Sequence, residues 1–318
     1  MLTLSVVATK GGVGKTTLCA NIGGLLADMG YRVLLIDADI QPALTRHFQL
    51  SHIAEHGLTT MIQRGALADD CISHVSLPPE TFRGDVSVLN VRGGFLHLVR
   101  SDTQTWDEER GVFKYDSALQ DWLANRFDRL VRIRMAIKND AVSSKYDVVI
   151  IDTQGAVGHL QDAAVNAADM LLIPAKPDIV SAREFISGSL LLIDRHESAG
   201  NMGYSVPPMK AVINHYQNTV DSRTITTLIR EQFIELSGQV SVMDTMVPAI
   251  AAFPKASTAQ VPVHWIDPGK AGDIMHRLMW ELIPSLEGKF TPNHKGDLIV
   301  LPRAVAAQEP DTDLETEE

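Results

Sequence analysis

The chain reads as a three-layer α/β protein, a mostly parallel sheet with helices on both faces, on three observations. An apolar run, residues 2–8, leads into Thr9-Lys10-Gly11-Gly12-Val13-Gly14-Lys15-Thr16-Thr17 and then into an alanine- and leucine-rich helix over 18–29 that Gly30 ends. Two further apolar runs, 32–37 and 145–152, each close on an aspartate, Asp37 and Asp152. Continuous apolar runs are the mark of strands buried on both faces, and open α/β sheets bind ligands beyond the C-terminal ends of such strands.

The glycine-rich turn comes first. A strand, a glycine turn and a helix in that order form a phosphate-binding loop: the glycines let several backbone N–H groups point at one phosphate, and the helix start adds its own unpaired N–H groups. Lys15 then reaches the β- and γ-phosphates, and the Thr16 hydroxyl ligates Mg²⁺. The plainer alternative is a glycine turn joining a strand to a helix, but one ending in Gly-Lys-Thr is unusual. Position 9 carries Thr where the ordinary spacing asks for Gly, and Lys10 is an added lysine.

With those residues the sequence resembles the deviant Walker A ATPases, the ParA/MinD group. The resemblance implies ATP and Mg²⁺ as ligands and a sandwich homodimer in the ATP state, with Lys10 crossing to the partner's ATP. Nucleotide contacts would run through Lys10, Gly11, Gly12, Val13, Gly14, Lys15, Thr16 and Thr17.

The second strand continues as Asp37-Ala38-Asp39-Ile40-Gln41-Pro42. The family carries an Asp-x-Asp motif here, usually followed by Pro-Gln; Ile40 takes the proline position and Gln41 is kept. By resemblance, Asp39 positions the attacking water and Asp37 acts near Mg²⁺ through water. The alternative for each is a helix-capping aspartate. Further on, His52-Ile53-Ala54-Glu55-His56 fits a short zinc-protease pattern. Nothing supplies a third ligand, and scattered surface histidines are the better reading.

Residues 86–91 alternate like a strand, where the family has one, and Arg92-Gly93-Gly94 follow. The region of about 92–145 is expanded against small family members. Its clearest part is 119–137, where Leu119, Leu123, Phe127, Leu130 and Ile137 fall at helical spacing and predict one apolar face. Arg126, Arg129, Arg132, Arg134 and Lys138 give it a basic side, opposed mainly by Asp128. Such a stripe is usually a solvated helix face, with a DNA or partner contact as the rarer alternative.

The run 145–152 has four consecutive β-branched residues before Asp152, the Walker B arrangement, so Asp152 holds Mg²⁺ directly or through water. Thr153-Gln154-Gly155 follows, where most ParA relatives have two prolines after the threonine. A glycine there lets an N–H approach the γ-phosphate. Strands are expected over 169–174, 209–214 and within 240–248, with a helix over 181–196. Family members hold adenine between the loops after the last two strands, which makes Asn214 and Pro248 the pocket candidates. A turn role is the alternative for each.

Composition narrows the classes. The chain has 318 residues, 45% hydrophobic and 21% charged, with two cysteines, Cys19 and Cys71, in no metal or redox spacing. That usage, a start without a basic flank, and the lack of any apolar run near the roughly 20 residues of a membrane span predict a cytoplasmic protein. Six of the eleven excess negative charges lie in 304–318, leaving −5 on the rest. Global charge therefore does not favour nucleic acid. The acidic tail also disfavours the membrane helix of MinD-type relatives. We expect one ATPase domain over 1–288 and an extension over 289–318 with an acidic, disordered tail. Because the sequence opens at its first strand, we expect no N-terminal DNA-binding domain of the kind larger relatives carry.

The family resemblance implies an ATPase switch for partition of a plasmid, integrative element or chromosome. It would bind DNA non-specifically in the ATP state, associate with the nucleoid there, and be stimulated by a ParB-like partner. Basic residues often follow the last strand in soluble relatives; here Ala249 follows Pro248, although Arg223 and the 126–138 cluster are available. Two other readings are a positioning switch acting on a protein cargo without DNA, and a P-loop small-molecule ligase.

Overall fold

The computed structural model describes residues 1–76, 94–198, 206–235 and 240–286. Its strands are β1 (Leu2–Val6), β2 (Arg32–Ala38), β3 (Gln49–His52), β4 (Ser73–Ser76), β5 (Phe95–Val99), β6 (Gln104–Asp107), β7 (Val112–Tyr115), β8 (Val148–Thr153), β9 (Met170–Ala175), β10 (Met209–Tyr216), β11 (Val240–Val242) and β12 (Val247–Pro248). Ten of them form one sheet in the order β11-β10-β9-β1-β8-β2-β5-β4-β3, with β12 beside β10. All its pairings are parallel except β3–β4 and β4–β5, so the antiparallel part is confined to one edge. β6 and β7 form a separate hairpin.

Helices α1 (Lys15–Asp28), α2 (Leu58–Arg64), α3 (Ala118–Ala124), α4 (Arg132–Ile137), α5 (Asp140–Lys145), α6 (His159–Ala167), α7 (Ile179–Ser198), α8 (Val220–Glu235), α9 (Ala252–Ala259), α10 (Val263–Ile266) and α11 (Lys270–Leu282) cover both faces. The strand period of two sorts the side chains. Val33, Leu35, Val148 and Ile150 pack on α1 and α11. Leu34, Ile36, Val149 and Ile151 point the other way, against α2, α4 and α6. Ile173, Ala211 and Ile213 continue that second face against α7 and α8. The expected three layers are present.

Several boundaries differ from expectation. α1 begins at Lys15, three residues early, because Gly14 already accepts the first helical bond from Leu18 N at 3.0 Å. The neighbour of β2 on its far side is β5; the run 86–91 lies outside the described residues, as does the extension 289–318. The stretch 119–137 is two helices. α3 stops at Asn125, whose side chain bonds back to the Asp121 carbonyl, and a turn with a short 3₁₀ segment precedes α4. Leu119, Leu123 and Ile137 are buried as expected, but Phe127 falls in the turn and is 93% exposed.

The basic stripe is largely spent on the fold. Arg126 and Arg132 both pair with Asp128, Arg129 donates to the Arg126 carbonyl, Arg134 to the Asn166 carbonyl, and Lys138 pairs with Asp169. The His52 ring lies tilted against that of His74 while His56 faces Asp70, so the two histidines of the protease-like pattern point to different neighbours. Both cysteines are free and buried.

Candidate nucleotide site

The site lies at the C-terminal ends of β1, β2 and β8. Register puts Val6 beside Asp152 and Asp152 beside Asp37, so the phosphate loop and two aspartates share one level of three adjacent strands. The loop turns on Gly12 (φ 76) and Gly14 (φ 92), both left-handed. At Gly14 the requirement is also steric: a Cβ would stand 2.2 Å from Asn214 Nδ2, because the Asn214 amide crosses there to donate to the Val13 carbonyl at 2.7 Å. Thr153 Oγ1 donates to the Val6 carbonyl and Gln161 Nε2 to the Ala8 carbonyl. The loop and the strand end leading into it are therefore braced from three elements, with Gly11 and Gly12 exposed and Val13 buried.

Lys15 is 7% exposed and its ammonium folds over the loop, 3.4 Å from the Lys10 carbonyl. Thr16 Oγ1 donates to Asp152 Oδ2 at 2.6 Å. Asp37 Oδ2 accepts from Thr45 N at 2.6 Å. The other oxygen of each aspartate, Asp37 Oδ1 and Asp152 Oδ1, is buried without a hydrogen-bond partner among the described residues. Burial pushes the Asp152 carboxyl up to about 7 against the restraint of Thr16, and burial followed by the charge of Asp152 pushes Asp37 well above the usual range.

Two buried acceptors without donors are expensive unless a ligand completes them. With the Thr16 hydroxyl they form an all-oxygen set that suits a hard divalent cation such as Mg²⁺.

Asp39 sits two residues beyond Asp37, partly buried. Its carboxylate accepts from Gln41 N at 2.9 Å, and burial raises its pKa while Lys15 opposes the shift. Gly155 packs directly on the loop: a Cβ there would lie 2.8 Å from Gly11 N and 2.9 Å from Gly11 Cα. Gln154, buried, accepts from Gln120 Nε2 at 3.1 Å and so ties this segment to α3.

Thr17, Asn214 and Pro248 line a cavity of about 430 Å³ with Leu18, His215, Val247, Ile250 and Phe253. Asn214 and Pro248 thus line the same cavity, although Asn214 has a structural bond as well.

Lys10 stands apart. Its ammonium pairs with Glu184 of α7 at 2.7 Å instead of pointing into the loop. Thr9 packs against Gly188, where a Cβ would collide with its side chain, and donates to the Glu184 carbonyl at 3.4 Å. The Thr at position 9 is thus matched by a glycine on α7. Sequence reasoning passed over Glu184, Gly188 and His215. A lone acid or glycine on a helix and a histidine after a strand carry no local pattern, and only tertiary placement selects them.

A family model described as an AAA domain matches residues 1–195. A ParA family protein of Chlamydia pneumoniae is 31% identical over 184 residues, covering 58% of this chain and 62% of that one. The cell division protein PomZ of Myxococcus xanthus is 27% identical over 269 residues, 83% of this chain and 72% of that one. Among solved structures, apo McdA of Cyanothece superposes with a TM-score of 0.67 at 20% identity, covering 89% and 99% of the two chains. The septum site-determining protein MinD of Pyrococcus horikoshii OT3, complexed with Mg-ADP, gives 0.60 at 17% identity over 88% and 95%.

Proposed function

This chain belongs to the ParA/MinD family of P-loop ATPases, and from that premise we propose that it is a Mg²⁺-dependent ATPase whose ATP state is a homodimer. Its cycle would partition a plasmid, integrative element or chromosome, with non-specific DNA binding in the ATP state and stimulation by a ParB-like partner. The ATPase domain would span 1–288. The observation that supports the nucleotide reading most is the trio of Thr16, Asp37 and Asp152 beneath a braced phosphate loop, with two carboxylate oxygens left for a cation.

Each residue has a physical task. Loop N–H groups and Lys15 hold the phosphate chain and lower the cost of charge developing on it. Thr16 and Asp152 would hold Mg²⁺, with Asp37 acting through water. The ion, when bound, neutralises phosphate charge and draws down the raised carboxyl pKa values. Asp39, beside Lys15 and partly buried, orients the attacking water. Lys10 leaves Glu184 to meet the partner's nucleotide. Both side chains of that pair are more than a third exposed, so release costs about 0–1 kcal/mol.

Mass by light scattering and gel shift on plain duplex DNA, each with ATP, ADP or no nucleotide, test the reading. We expect dimer and DNA retardation with ATP alone, the latter falling steeply with salt. Dimer without any DNA shift would move the function to positioning of a protein cargo, and ADP release dependent on a small molecule would indicate a ligase. No described helix is long and apolar enough to cross a membrane.

A further inference from the structure

We propose that His215 is a nucleotide-contacting residue, its imidazole lying across the seam between the phosphate loop and the nucleoside cavity and packing on the sugar–base half of the bound nucleotide. The inference deepens the ATP-binding reading and rests on it.

Four observations converge on this residue. His215 has φ 57, and Gln260 is the other non-glycine with positive φ among the described residues. The pairing of β10 with β12 is irregular at this point: Asn214 sits opposite Val247 and Tyr216 opposite Pro248, which leaves His215 out of register. That kink carries the ring toward the loop, where a Cβ on Gly14 would stand 3.2 Å from His215 Nε2. The same residue lines the cavity of about 430 Å³, together with Thr17 and Pro248.

The protein itself gains little from this placement. His215 keeps part of its surface exposed and makes no side-chain hydrogen bond with the described residues, so local contacts do not repay the left-handed backbone. A bound nucleotide would. The remaining lining is mostly apolar, with Val247, Pro248, Ile250 and Phe253, and includes no carboxylate. Partial burial and the nearby Lys176 both lower the His215 pKa, which favours the neutral imidazole. A neutral flat ring at the junction of phosphate loop and cavity suits stacking on a sugar–base face better than neutralising phosphate charge.

Calorimetric titration of ATP, ADP and inorganic tripolyphosphate separates the possibilities. His215→Ala and His215→Gly should weaken ATP and ADP alike by about tenfold and leave tripolyphosphate unchanged. His215→Gly should also raise the apo Tm, since glycine relieves the left-handed strain. Equal weakening of tripolyphosphate would mean that the ring only props Gly14, and unchanged ATP affinity would mean that it touches nothing; either overturns the proposal. His215→Asn, which tolerates the same φ, checks that any loss is not misfolding. Lys15→Ala is the separate control: it should lose ATP and tripolyphosphate together, and ATP binding retained there would undo the nucleotide reading itself.

Discussion

Asp37 and Asp152 stand side by side on neighbouring parallel strands, fully buried, each with one carboxylate oxygen that has no hydrogen-bond partner among the described residues. Burial raises both pKa values, so the native state holds protons that the unfolded chain has released. Stability from this pair is therefore present at low pH. It is lost as pH rises from the unfolded carboxylate range near 4 through the folded value of about 7. His47 and His97, held by burial at about 4, slope the opposite way below their unfolded range. The difference between wild type and Asp152→Asn isolates the pair. Thermal melts of the apo protein should show the variant gaining on wild type from pH 5 to 7.5, by up to ~1.4 kcal/mol per pH unit for one group. A gap that does not change with pH would contradict the assignment.

The parts of this site that sequence made legible are those in which one residue type repeats or spacing is rigid. The central strands are apolar runs because both faces are covered, and their terminal aspartates follow from where the runs end. The loop is legible because Gly12 and Gly14 need left-handed backbone. Segments 119–137 and 49–76 fared worse. Leu123 and Phe127 keep helical spacing, yet Asn125 ends α3 between them, and Asp128 gathers Arg126 and Arg132 into the turn. The short strand β3 at the sheet edge and its neighbour β4 lack a buried second face, so their sequences, Gln49–His52 and Ser73–Ser76, look like loops. Lys10 shows the other limit: its partner Glu184 is 174 positions away, and no spacing rule connects them.

Gly155→Ala should damage nucleotide binding more than folding. The added methyl meets backbone, Gly11 N at 2.8 Å and Gly11 Cα at 2.9 Å, so it cannot rotate away. Relief requires the segment 153–155 or the loop to shift, a cost of about 1–3 kcal/mol. ATP affinity by titration should fall about tenfold or more, with Tm dropping by a few degrees. Wild-type affinity would show that the two backbones separate freely.

Lys10→Ala and Glu184→Gln should act in opposite directions on the dimer. The alanine variant keeps monomeric ATP binding and loses the ATP-dependent increase in mass. The glutamine variant frees Lys10 from a half-exposed ion pair, so it should raise the dimer fraction by no more than about fivefold and leave stability within ~1 kcal/mol. Light scattering across a concentration series measures both. An unchanged dimer in Lys10→Ala would remove the lysine from the interface.

Asp39→Ala should separate binding from turnover. Among the described residues Asp39 shares no hydrogen bond with Thr16, Asp152 or Asp37, and its carboxylate accepts from Gln41 N within its own loop. Its loss should therefore leave ATP affinity and Tm nearly intact. Burial lifts its pKa, which makes the carboxylate a better acceptor for a water proton, though Lys15 restrains the shift. Removing a positioned acceptor of this kind typically costs 10²–10⁴ in rate. Phosphate release under saturating ATP should fall by about that range, and the ATP dimer should accumulate because it is no longer discharged. A wild-type turnover rate would shift the water-orienting role to another group at the mouth of the loop.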